Sequence, residues 1–184
     1  MSTPTSQRIS FEKELRFIRV HINEKPYWEY VTRVNSAQGV TIVAVTDSRE
    51  IILVRQYRIP LGKFVIELPA GLVGDKNKNE TPNEAVSKEL LEETGYFVGS
   101  DDIRLLAIGP ALAGLTDEIN GLYLATDAKK RGLGGGDKDE GENIETLVVP
   151  LVNVMDELKK YEELGDIIDL KVYAGLHFLP DSQR

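Results

Sequence analysis

Glu89, Glu92 and Glu93 stand within five residues of one another, and a helix through them puts all three carboxylates on one side. Like charges at that spacing repel and weaken an isolated helix. Either the trio is a solvated acidic face, or divalent cations neutralise it. Oxygen clusters of this kind suit Mg2+, which keeps several waters and completes its shell with substrate phosphates. Net charge is −8, so an enzyme of phosphorylated substrates would need cations to bridge protein carboxylates to phosphates. The same sign argues against nucleic acid as a partner. The chain has two histidines, His21 and His177, and no cysteine. That removes disulfides, thiolate metal sites and cysteine nucleophiles, and leaves oxygen ligands for Mg2+ or Mn2+.

The element that carries the trio has clear ends. Thr81, Pro82 and Glu84 read as a capping box with proline at N1. Val86, Leu90 and Leu91 supply an apolar side, and Gly95 stops the helix at C′. Upstream, residues 13–23 and 27–34 read as a hairpin across Glu24-Lys25-Pro26, and 40–45 and 51–57 as a second across Asp47-Ser48-Arg49. Residues 64–68 form a strand that ends at Pro69-Ala70-Gly71. Residues 103–109, 119–125 and 144–151 read as further strands. Val154, Met155, Leu158 and Tyr161 fall at helical spacing, and Gly165-Asp166 opens a last helix that ends near Leu179-Pro180. The first ten residues read as a disordered tail. Many strands with few, interspersed helices predict an α/β (α+β) class, a layered α/β/α domain.

The stretch from Gly74 to Tyr96 resembles the Nudix box: Gly74, five residues, Glu80, seven residues, then Lys88-Glu89-Leu90-Leu91-Glu92-Glu93-Thr94-Gly95-Tyr96. The preceding Glu67-Leu68-Pro69-Ala70-Gly71-Leu72 is similar to ADP-ribose pyrophosphatases and nucleoside diphosphate sugar hydrolases, and the resemblance spans about residues 27–180. It implies a Nudix α/β/α sandwich. It also implies metal ligands at Glu89, Glu93 and the Ala70 carbonyl, with Glu92 direct or through water, and Glu80 supporting Lys88. The cofactor implied is Mg2+, with Mn2+ as a substitute, neutralising the diphosphate and activating water. Two departures stand out. Lys88 occupies the place of an arginine that orients a box glutamate, and lysine cannot reproduce a bidentate fork. The loop after Gly71 is also some three residues longer than in close relatives, so Gly71 competes with Gly74 for the role of first box glycine.

The same resemblance implies a general base in Asp139-Glu140-Gly141-Glu142-Asn143-Ile144-Glu145, Glu142 first and Glu140 second. An ordinary flexible acidic loop is the alternative. Glycines at 132, 134, 135, 136 and 141 predict a mobile, closing segment. Arg58 is implied on substrate phosphate, against a plain strand-end arginine. Trp28, Glu29 and Arg33 match positions that hold the nucleobase in ADP-ribose hydrolases, Trp28 by stacking; a hairpin tryptophan in a core or interface is the alternative. Gly114-Leu115-Thr116-Asp117-Glu118 resembles a loop near the metals, with Glu118 toward a metal-bound water. Pro110, 15 residues after Gly95, is a marker of ADP-ribose pyrophosphatases. Asp169-Leu170-Lys171 resembles the sugar-nucleotide branch and puts Lys171 on substrate. Against that, Asp166 and Asp169 are spaced as an N-cap and its N3 partner, and Asp169 and Lys171, two apart, are expected on different faces. His21 reads as a strand surface residue, and His177 suits a helix end by dipole.

With 184 residues, the chain is expected to divide into an N-terminal β extension, 1–36, and a Nudix domain, 37–184. Such an extension exposes strand edges and would pack across a dimer axis, so a homodimer is expected. No stretch approaches the roughly 20 apolar residues that span a bilayer, and MSTPTSQRIS has no apolar h-region. A cytoplasmic, membrane-free protein is expected, with the periplasm left open. The expected reaction is metal-dependent hydrolysis of a nucleoside diphosphate sugar, GDP-mannose-like or ADP-ribose, to a nucleoside monophosphate and a sugar phosphate. A dedicated ADP-ribose pyrophosphatase is the nearest alternative. A Nudix-fold sensor that binds without cutting is favoured by Lys88 and opposed by Glu89, Glu92 and Glu93.

Overall fold

Residues 40–45, Val-Thr-Ile-Val-Ala-Val, are all buried, which a strand achieves with both faces of its sheet covered. The computed structural model describes residues 9–36, 38–75, 77–136 and 143–180. In chain order its elements are β1 (Ile9–Glu14), β2 (Ile18–Glu24), β3 (Tyr27–Arg33), β4 (Gln38–Val45), β5 (Glu50–Arg58), β6 (Lys63–Glu67), β7 (Ala70–Leu72), α1 (Pro82–Thr94), β8 (Tyr96–Phe97), β9 (Ile103–Pro110), β10 (Ile119–Ala125), β11 (Lys129–Lys130), β12 (Ile144–Pro150), α2 (Val154–Glu163), β13 (Ile167–Ile168) and α3 (Leu170–Phe178). Val40, Ile42 and Ala44 of β4 pack with Ala85, Val86 and Leu90 of α1. Val43 and Val45 point the other way, to Val154 and Leu158 of α2 and Val172 of α3. Alternation along one apolar strand thus builds two cores, and the α/β/α layering predicted from the sequence is present.

The large sheet runs β13-β6-β5-β4-β10-β9, with β12 on β5 and β7 on β4. β4 and β10 are parallel, Gln38 opposite Ile119, and β13 is parallel to β6. β1-β2-β3 form a separate antiparallel sheet. That sheet docks on the segment before β10: the Val31 N–H donates to the Leu115 carbonyl at 2.8 Å, and the Trp28 Nε1–H to the Gly114 carbonyl at 2.8 Å.

Three local expectations are corrected. Order begins inside the expected tail, because Ile9 already pairs with Asn23; β1 is exposed throughout, so no burial pattern marks it. His21 is buried rather than superficial, stacked on Tyr30 at 4.6 Å with Nε2 3.0 Å from Thr32 Oγ1. Gly165, at φ 94°, follows α2 instead of opening α3. Ile167 and Ile168 then pair with β6, and Asp169 is the N-cap of α3. Asp166 is instead spent on Arg55, which it holds at 2.6 and 3.2 Å.

Candidate active site

Both ends of α1 are closed, which holds its acidic face in place. At the start, Thr81 Oγ1 accepts from the Glu84 N–H at 3.3 Å while the Glu84 carboxylate accepts from the Thr81 N–H at 2.7 Å. At the end, Gly95 is left-handed at φ 74°, and a Cβ there would lie 2.3 Å from the Gly132 carbonyl oxygen. The crowding comes from residues 130–136, which cap the last turn. The Arg131 and Gly132 N–H groups donate to Gly95 O, Gly135 N–H to Glu93 O at 2.8 Å, and Gly136 N–H to Glu92 O at 3.1 Å. Lys130 Nζ donates to Thr94 O at 2.7 Å. Helix carbonyls without intrahelical partners are thereby satisfied, with a cation at the negative end of the dipole. Residues 132–136 are thus bonded onto the end of α1, and Gly134 packs so tightly that a Cβ there would lie 2.4 Å from the Thr94 carbonyl carbon; residues 137–142 of the expected closing segment lie outside the described residues. Gly141, Glu140 and Glu142, the expected base and its alternate among them, lie outside the described residues.

The carboxylates of α1 flank the backbone at 70–71. Glu93 Oε2 accepts the Ala70 N–H at 3.1 Å. Glu89 lies so close over Gly71 that a Cβ there would sit 2.1 Å from its carboxyl carbon, so only glycine admits this approach. Lys88 Nζ stands 3.0 Å from Glu80, 3.2 Å from Glu89 and 3.3 Å from Asp75. Burial pushes the Glu89 carboxyl up to about 7, against the pull of Lys88. Burial disfavours the Lys88 charge, but Glu80, Glu89 and Asp75 outweigh it and hold the ammonium above its ordinary range. Gly74 also finds its role: at φ 76° it donates its N–H to Glu80 Oε2 at 2.9 Å. Gly74 is therefore tied to the box glutamate, while Gly71 cradles the helix carboxylate.

Among the described residues, no three His, Cys, Asp or Glu side chains converge closely enough to hold a metal. Glu89 is turned onto Lys88, Glu93 onto the Ala70 amide, and Glu92 is exposed. The donor set nevertheless fits a hard divalent cation. It consists of carboxylate and carbonyl oxygens around a glycine cradle, and Glu89 is held buried at a cost that a cation would relieve.

Beside these groups opens a cleft of about 260 Å3, lined in part by Ala70, Gly71, Glu93, Arg33, Arg58 and Lys171. Six site residues singled out in the sequence thus meet there: Ala70, Glu93, Arg33, Arg58, Glu118 and Lys171. Each cation has a carboxylate: Arg33 Nε on Glu118 at 2.7 Å, Arg58 on Glu67 at 2.6 and 2.9 Å, and Lys171 on Asp169 at 2.6 Å. The last pair corrects the expectation that Asp169 and Lys171 stay apart. Asp169 also accepts the Lys171 N–H at 2.7 Å, and as an N-cap it lies outside the helix, where the facing rule for helical residues does not apply. A second cleft of about 270 Å3 shares Thr41, Asn120 and Lys171 with the first and adds Ile108, Pro110, Leu122 and Phe178. Trp28 and Glu29 line neither of these clefts; Trp28 is on Gly114, and Glu29 accepts from the Tyr27 hydroxyl. Sequence reasoning missed Glu67, Asp75, Asn120 and Gln56. Glu67 was within reach, since it opens the Glu-Leu-Pro-Ala-Gly stretch; the others carry no local pattern.

Comparison with known proteins follows the same lines. The NUDIX domain model matches residues 36–170. A methanol dehydrogenase activator of Bacillus methanolicus is 33% identical over 77% of this chain and 71% of its own length. An ADP-ribose pyrophosphatase of Bacillus subtilis is 32% identical over 77% of this chain and 71% of its own. A GDP-mannose pyrophosphatase of Citrobacter koseri is 31% identical over 78% of this chain and 74% of its own. A crystal structure of an ADP compounds hydrolase shares the fold, with a TM-score of 0.61, 21% identity, and 86% of each chain covered. By motif, by architecture and by these likenesses, the chain belongs to the Nudix family.

Proposed function

We propose that the chain hydrolyses the diphosphate of nucleoside diphosphate sugars, ADP-ribose and GDP-mannose-like molecules among them, to a nucleoside monophosphate and a sugar phosphate. The observation that carries this reading is the meeting of Arg33, Arg58 and Lys171 with Glu93 and Ala70 in one cleft. Relatives named for ADP-ribose and for GDP-mannose support the substrate class. A divalent cation, Mg2+ with Mn2+ as a substitute, would be held by Glu89, Glu93 and the Ala70 carbonyl, with Glu92 direct or through water. When bound, it neutralises the diphosphate and lowers the pKa of the attacking water. Arg58, Arg33 and Lys171 bind and orient phosphate and sugar, exchanging their present carboxylates for substrate oxygens. Glu142 takes the proton of the attacking water, with Glu140 as its alternate. Trp28 and Glu29 belong to the nucleobase side, across from or beside Arg33, in a homodimer whose second copy packs on the β1-β2-β3 sheet.

A panel of nucleotide sugars, assayed with Mg2+ and Mn2+ for release of monophosphate, tests the reading. Absence of turnover on the whole panel overturns it and favours a sensor. A narrower reading, a dedicated ADP-ribose pyrophosphatase, is favoured by Pro110 lining the second cleft; strict preference for ADP-ribose on the panel would select it.

A further inference from the structure

An arginine at position 88 would grip two carboxylates in one plane with a rigid fork. The lysine present is a point charge with three rotatable N–H donors, and two acceptors leave such a group free to swivel. Here a third acceptor is supplied. Asp75 Oδ1 stands 3.3 Å from Lys88 Nζ, beside Glu80 at 3.0 Å and Glu89 at 3.2 Å. Asp75 and Glu80 are set relative to each other by the turn they share, since Gly74 takes φ 76° and binds its N–H to Glu80 Oε2. Glu80 and Glu89 have side chains 8% and 14% exposed, and those of Lys88 and Asp75 are only about a quarter exposed. A network this sheltered holds its geometry better than surface pairs do.

We propose that Asp75 is a positioning residue: by occupying the third donor of Lys88 it fixes the ammonium, and through it the Glu89 carboxylate, in place of the missing fork. The inference rests on the reading of Glu89 as a metal ligand. It makes Asp75 necessary with lysine at 88 and dispensable with arginine there.

The test is a double-mutant cycle on the full-length chain, read by Mn2+ binding in calorimetry and by steady-state kinetics. D75A, which vacates the third donor, should weaken Mn2+ binding by about tenfold, the low end for outer partners of metal ligands, and lower kcat more than it changes KM. On the K88R background D75A should cost no further affinity, because the fork no longer needs a third anchor; such non-additivity marks a coupled pair. D75N, whose amide oxygen can still accept from Lys88, should fall between D75A and the wild type. A role of Asp75 independent of Lys88, as a turn former or as a ligand, predicts equal losses in both backgrounds. Asp75→Ser, which keeps turn-forming chemistry, repeats the cycle if D75A does not fold. Wild-type Mn2+ affinity in D75A overturns the inference, and so does an equal loss in both backgrounds. If no nucleotide sugar is turned over while the cycle holds, the functional reading fails and this one stands.

Discussion

Every cation in the cleft is already paired: Arg33 with Glu118, Arg58 with Glu67 and Lys171 with Asp169. In the proposed reaction phosphate displaces a carboxylate at each, so that an acidic protein keeps its cations ordered until an anion of higher charge arrives. At the proposed metal carboxylates the demand is sharper. Glu93→Gln should lose several orders of magnitude in kcat with the fold intact, since an amide oxygen can still accept the Ala70 N–H; a near-wild-type rate at saturating Mg2+ would sink the ligand assignment. Glu142→Gln should lower kcat far more than it moves KM, and if Glu140→Gln is the crippled variant the base shifts by two residues. The ratio of kcat/KM for ADP-ribose against a hexose nucleotide is expected to lie within about ten- to hundredfold, or 1.4–2.8 kcal/mol, because stacking and point charges discriminate weakly. Lys171→Ala should change that ratio. Asp169→Ala should change it too, since the pair is joined, and should in addition cost about 1 kcal/mol of stability as a lost cap. An unchanged ratio in both, beside a preference for ADP-ribose above about a thousandfold, selects the dedicated pyrophosphatase. Glu93, Ala70, Arg58 and Lys171 were singled out by the resemblance to the Nudix family, and the fold brings them to one cleft. The partners Glu67, Glu118 and Asp75 were not assigned as such, because which carboxylate meets which cation is decided by strands and turns that sequence spacing does not order.

At the scale of elements, α1 is defined from both ends, and the two ends have different consequences. Thr81→Ala removes the capping box and should cost about 1 kcal/mol with kcat preserved, because it lies far from Glu93 along the helix. Gly134→Ala is another matter. Gly134 has φ 73°, and a Cβ would lie 2.4 Å from the Thr94 carbonyl carbon. A left-handed alanine costs about 1–2 kcal/mol before any clash, and relief of the clash displaces the turn that bears Glu92 and Glu93. Thermal melting and kcat should therefore fall together for Gly134→Ala and part company for Thr81→Ala; wild-type kcat in both variants would show that residues 130–136 do not support the site. α1 was legible because its caps are local sequence patterns. β8, β11 and β13 were not, being two residues each, too short for any period to register. The glycine-rich run at 132–136 reads equally as a loose loop or as tight packing, and only the neighbouring backbone shows that Gly134 does the second.

Across the whole molecule, the three-stranded sheet is not a loose appendage. Arg33 reaches the cleft from the end of β3, and Trp28 and Val31 bond to residues 114–115. Sedimentation velocity is expected to show a dimer, with the exposed faces of β1 to β3 covered; a monomer at assay concentration would remove the second copy from the proposed nucleobase site. The layered fold was legible from apolar runs and turns, whereas the parallel pairing of β4 with β10 was not, because parallel neighbours leave no hairpin between them. That pairing also sets the order of events on the ribosome. β4 waits for a neighbour some eighty residues downstream, and the cleft draws on Arg33, Ala70, Glu93, Glu118 and finally Lys171. Synthesis proceeds at about 5–20 residues per second, so an interval on the order of ten seconds separates the first of these from the last. During that interval the nascent chain holds Arg33 and Arg58 but not Lys171, and β4 lacks the strand that covers its parallel edge. A cleft built this way is complete only once the last helix has been made.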